Sequence, residues 1–178
     1  MKLPLRPSCL AHPRSLGSTP QSAGFSLVEL VSVITCMGLL VTIAAPGWLG
    51  FAKQRQLATA QEQAAQAMRT AQHQAKVSRI RQAIEFRQTA DGIEWSVHPA
   101  SHSATNWRSL AADISIHPST TLERNGEVYR LQFDEEGHVS GQLGRLTLTI
   151  ERTGWQRCVI TSTLLGAIRQ AQGSACGR

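Results

Sequence analysis

Glu29 is the one charged residue in the 21-residue run FSLVELVSVITCMGLLVTIAA, Phe25 to Ala45, whose other polar groups are hydroxyls and one thiol. An ionised side chain at the centre of a lipid-like medium costs roughly 2.5–3.5 kcal/mol, less toward an end, so a carboxylate here calls for a compensating charge. Directly before the run stands a junction of small residues, Ala23-Gly24. A cut after Gly24 would free an α-amino group on Phe25, one helical turn from Glu29. That amine and the carboxylate of the same chain or a neighbour would neutralise each other. The chemistry implied is a proteolytic cut followed by a charge-pairing contact.

Other reactive residue types are spread out. Asp134, Glu135 and Glu136 adjoin one another before Gly137. A calcium loop needs spaced oxygen ligands, so these read as a solvated turn. The six histidines, His12, His73, His98, His102, His117 and His138, show neither HExxH nor Cys–His spacing. His98 and His102 are four apart, but in a proline-containing loop. There is no nucleophile elbow and no phosphate-cradling glycine loop. The expectation is a non-enzyme with no cofactor and no metal; a membrane-anchored envelope enzyme is the outside alternative.

The first 24 residues, MKLPLRPSCLAHPRSLGSTPQSAG, hold four prolines and no acid. They carry no apolar run of their own. A secretory signal is cut after its apolar core; here the small-residue site lies before it. Cutting there removes a basic leader, residues 1–24, and leaves the apolar run as the new N-terminus. The formal charge of +6 on 178 residues then falls to +3, because Lys2, Arg6 and Arg14 leave with the leader. Arginine supplies 15 of the 18 cations. Its fork suits phosphate and carboxylate, and a GC-rich genome would give the same bias.

As a helix, residues 25–45 span ~32 Å, close to a bilayer core. Residues 46–77 predict its continuation. Leu57, Ala60, Ala64, Ala67 and Ala71 recur every three or four residues, a stripe for close approach to a sheet, with glutamine and basic residues elsewhere. Pro46 predicts a bend between the halves. From about residue 78 the period becomes two. Ile84/Phe86 and Ile93/Trp95/Val97 alternate with polar residues around an Asp91-Gly92 turn. Residues 99–112 read as a loop with room for a short helix. Short strands follow at Ile114/Ile116, TLERNGEVYRLQF, HVSG, RLTLTIE and RCVITST, with turns at Asn125-Gly126 and Glu136-Gly137. The expected fold is α+β: a long N-terminal helix on a small antiparallel domain, 78–178, with a C-terminal tail.

GFSLVELVSVITCMGLLVTIAAPGW closely resembles the prepilin signature of type IV pilins and type II secretion pseudopilins. Gly24, Phe25 and Glu29 match the cleavage glycine, the N-methylated first residue and the signature acid, and Pro46 the helix-bending proline. The resemblance implies cleavage by prepilin peptidase, which is also the N-methyltransferase, at the inner membrane. It implies filament docking through Glu29 and assembly with other pilins or pseudopilins. The globular domain would lie outside the cytoplasm, in a periplasmic or surface filament. LQFDEEGHVSGQLGRLTLTI and RCVITSTLLGAIR resemble the globular domain of GspH/FimT-type minor pilins, as does the basic helix end AMRTAQHQAKVSRIRQAIEF. FimT-like proteins linked to DNA uptake end in Gly-Arg-x-Arg; here Gly166-Ala167-Ile168-Arg169 has one arginine fewer.

On this reading Cys9 leaves with the leader and Cys36 lies in the membrane helix as a small hydrophobe. Cys158 and Cys176 fall in an oxidising compartment and are expected to be bridged, with two free thiols as the alternative. A bridge would close a 19-residue loop, worth ~3 kcal/mol by chain entropy. Three roles remain: minor pilin of a type IV pilus, minor pseudopilin of type II secretion, or DNA receptor at a pilus tip. For the last, Arg145, Arg152, Arg157, Arg169 and Arg178 are the candidate phosphate contacts, with Trp155 either stacking on a base or lying in the core.

Overall fold

The structure, a computed structural model, describes residues 26–150 and 153–177. The leader with Cys9, the Gly24–Phe25 junction, Arg152 and Arg178 lie outside the described residues. The chain divides into two compact units, Met1–Ile43 and Ala44–Arg178, each taken by itself below.

Helix α1, Leu27–Ser78, enters both units. In the first, its apolar side chains are exposed on the isolated chain. Its hydroxyls turn back onto the helix: Ser32 donates to the Glu29 carbonyl, Thr35 to Val31 and Thr42 to Leu39, at 2.7–2.8 Å. That satisfies polar groups within the helix, as a lipid environment demands. Among the described residues no single helix is long and apolar enough to cross a membrane; Leu27–Ile43 and Gly47–Ser78 pass that test as a pair. Pro46 falls within the bounds of α1.

In the second unit α1 is the spine of an α+β domain. The predicted stripe is the buried face: Leu57, Ala60, Ala64, Ala67 and Ala71, joined by Ala65, Met68 and Ala75. Alanine brings the helix backbone close to the strands. The strands are β1 Gln82–Thr89, β2 Gly92–Pro99, β3 Arg108–Ala112, β4 Ser115–Ile116, β5 Glu123–Asn125, β6 Val128–Phe133, β7 Arg145–Thr149, β8 Gln156–Thr161 and β9 Ile168–Gln172. They form two antiparallel sheets, β3-β2-β1-β6-β5 and β4-β7-β8-β9. Ile84, Phe86, Leu131 and Phe133 of the first and Leu146, Leu148 and Val159 of the second join the helix stripe in one core.

Three helix glutamines tie the spine to the sheets. Gln56 donates to the Ala112 carbonyl, Gln61 to those of Cys158 and Ala171, and Gln72 to those of Gly137 and Gly166, at 2.8–3.1 Å. Gly166 sits at φ +80, and a Cβ there would meet the Gln72 amide at 2.3 Å. A bulkier residue would break that contact.

Three expectations change. The segment 99–112 is not loop throughout: β3 pairs with β2, but only Leu110 of it is buried, too weak an alternation to read. HVSG contributes a single bridge, Phe133 to Val139, rather than a strand. The polar IRQAQ of the expected tail is edge strand β9, held by its backbone to β8. After it a 3-10 turn, Gly173–Cys176, carries Cys176 to a disulfide with Cys158, Cα atoms 5.8 Å apart and both residues buried. The expected Cys158–Cys176 bridge is thus formed.

Candidate functional site

Glu29 lies in the first turn of α1, exposed on the isolated chain. Apolar side chains surround it in sequence, with Leu27 78% and Val28 73% exposed. An acid in a first helical turn is also favoured by the helix dipole. The first part of α1 is thus apolar with one carboxylate in its first turn.

Among the described residues the late arginines divide between the two faces of the second sheet. Arg145 of β7 pairs with Ile160 of β8, which pairs with Arg169 of β9, so both arginines share one face of the second sheet. Arg157 is three residues from Ile160 on β8 and projects from the other face. There its Nη1 donates to Oε1 of Gln61, 3.1 Å away. Arg145 donates from Nη2 to the Ser119 carbonyl at 3.1 Å, while Arg169 is exposed. Trp155 is half-buried against the core, its ring 3.6 Å from where Gly50 would carry a Cβ.

The acidic turn closes on itself. Asp134 Oδ1 accepts the N–H groups of Glu136 and His138 at 3.1 and 2.7 Å. Asp134, Glu136 and His138 bring their ligating atoms within 4.8 Å of one another, but the Asp134 carboxylate is engaged in the turn.

Sequence reasoning missed a buried polar cluster on the first sheet. Glu85 of β1 faces Ser96 of β2 and Arg130 of β6, and His98 sits diagonally from it. His98 is 7% and Ser96 1% exposed. His98 Nε2 and Arg130 Nε lie 3.7 and 3.6 Å from Glu85 Oε1. Burial pushes the His98 pKa down; the Glu85 charge opposes this, and Arg130 and His102 add to it. The segment 100–107 is tied across this face at both ends. Arg130 Nη2 donates to the Ala100 carbonyl at 2.8 Å, and the Arg87 guanidinium lies 4.0 Å from the Trp107 ring centroid. Neither His98 nitrogen nor Ser96 Oγ has a hydrogen-bond partner. The cluster holds an imidazole whose burial disfavours the charged form, and Ser96 Oγ makes no hydrogen bond to it, so no nucleophile is aligned with a base there. The sequence reads His98 as part of a proline-containing loop, but β2 runs on to Pro99 and carries it, which places it on the same face as Ser96.

Comparison with solved structures finds two crystal forms of the type IV minor pilin FimU of Pseudomonas aeruginosa. Both have TM-scores of 0.45; the P21 form is 15% identical and covers 68% of this chain and 92% of that one. The P65 form is 14% identical, covering 65% and 92%. No family model matches the chain, and comparison with curated proteins finds no match.

Proposed function

We propose that this chain is a minor pilin-like structural subunit of a type IV pilus or a type II secretion filament. The observation that carries the reading is the Gly24–Phe25 junction and Glu29 at the head of an apolar helix that continues as the spine of an antiparallel β-domain. Prepilin peptidase cuts at the junction on the inner membrane and methylates Phe25. The apolar helix anchors the subunit in the membrane, with the β-domain outside the cytoplasm. In the filament the same helix packs among helices of other pilins. The hydroxyls of Ser32, Thr35 and Thr42 are satisfied within the helix, which leaves Glu29 as the charged group for a neighbour to meet.

Glu29 then supplies the docking contact, its carboxylate meeting the Phe25 amine of a neighbour. Replacing Glu29 by Val removes the charge while easing membrane residence. Glu29→Val protein should be cut and inserted as wild type, yet be depleted in sheared filaments. Equal recovery of the two from sheared filaments would contradict the docking role. Expression in strains lacking either the pilus or the secretion assembly platform identifies which filament takes the subunit up.

A further inference from the structure

The second unit begins with an exposed aromatic and basic cluster on α1. Trp48 is 70%, Leu49 64% and Phe51 49% exposed. The Trp48 and Phe51 rings lie 6.1 Å apart, and the Arg55 guanidinium sits 5.1 Å from the Phe51 ring centroid. The domain does use this stretch of helix, but through Gly50, against which the Trp155 ring rests. Three large apolar side chains are left outside the domain within one turn of the helix, Trp48 and Phe51 side by side and Leu49 flanking, an arrangement that marks an interaction surface rather than scattered surface hydrophobes.

The order of residue types along the chain indicates the partner. First comes the apolar run to Ala45, then Trp48 and Phe51, then Lys53 and Arg55, and no acid occurs between Glu29 and Glu62. A bilayer presents complementary layers in the same order: hydrocarbon, the interface where tryptophan rings settle, then phosphates that attract cations. Trp48 to Arg55 rises ~10 Å along the helix, on the scale of one headgroup layer. A protein neighbour would have to supply an apolar surface ringed by acids; lipid supplies both as a matter of composition.

We infer that Trp48, Leu49 and Phe51 seat in the interfacial layer of a phospholipid bilayer, with Lys53 and Arg55 on the lipid phosphates. The band fixes the depth at which the subunit waits before it is drawn into a filament. This rests on the reading of Phe25–Ala45 as a membrane anchor.

The test uses the full chain in vesicles of phosphatidylethanolamine and phosphatidylglycerol, with acyl chains brominated close to the headgroup. Of the four tryptophans Trp48, exposed within the band, should be quenched most by the bromines, with Trp155 beside Gly50 supplying the remainder, so Trp48→Phe should lose most of the lipid-dependent quenching. A Lys53→Gln/Arg55→Gln variant should show weaker quenching in these vesicles than wild type. In the same vesicles a water-soluble maleimide, located by peptide mass, should fail to reach Cys36. Equal quenching of wild type and Trp48→Phe, or none, with Cys36 shielded overturns the interfacial band alone. Labelled Cys36 overturns the membrane anchor beneath it as well.

Discussion

Arg157 donates from Nη1 to Oε1 of Gln61 across 3.1 Å, turning a strand cation toward the helix. Gln61 is 3% exposed, and its Nε2 serves the carbonyls of Cys158 and Ala171. Arg157→Ala removes the bond Arg157 makes to the buried Oε1 and should cost about 1–3 kcal/mol in thermal or denaturant unfolding. Gln61→Ala should cost at least as much, and the double variant less than the sum. Arg169→Ala, on an exposed edge strand, should leave stability within about 0.5 kcal/mol. In a DNA-binding assay, therefore, Arg169→Ala is the informative variant, and salt-dependent retention that it lowers would favour the uptake role.

The alanine stripe sets how closely α1 approaches the sheets. Ala64 is fully buried, whereas its neighbour Gln63 is exposed. Ala64→Leu forces extra methylenes into a filled core and should destabilise by about 1–3 kcal/mol. Gln63→Leu should be close to neutral. Paired urea titrations measure both, and similar midpoints would show that the stripe is not packed against the strands.

His98 gives the β-domain an acid-sensitive point. Its folded pKa is lowered from the ordinary 6.5, chiefly by burial. The unfolded chain therefore takes up the proton first as pH falls. The stability contributed by the neutral imidazole is complete above about 6.5 and is lost as pH drops from there through the lowered folded value. Glu85 works against the loss, and Arg130 and His102 with it. His98→Gln should flatten the stability profile between neutral and mildly acidic pH. Unchanged curvature in that variant would place the acid sensitivity elsewhere.

What could be read from sequence follows from where the signal is local. The stripe from Leu57 to Ala71 and the alternation of Ile84 and Phe86 both report one buried face, and both elements form as that pattern requires. β9 and β3 escaped because edge strands are held by backbone bonds to one neighbour, which impose little on side-chain type. The glutamines of α1 read as solvent-facing, yet Gln61 and Gln72 are spent on strand and turn carbonyls about 65 to 110 residues away, a pairing no local pattern encodes. The His98 cluster was hidden for the same reason: β2 is covered on both faces, and the second cover comes from the segment that follows it.

Under the proposed function the Gly24–Phe25 bond is cut so that the apolar helix, with Glu29 near its head, becomes a filament subunit's N-terminus. Intact-mass analysis of the protein extracted from membranes tests it most directly. The mature chain should start at Phe25, carry one added methyl group on its amine, and be absent when Gly24 is replaced by a bulky residue. A membrane-extracted chain that starts at Met1, or anywhere other than Phe25, would contradict it.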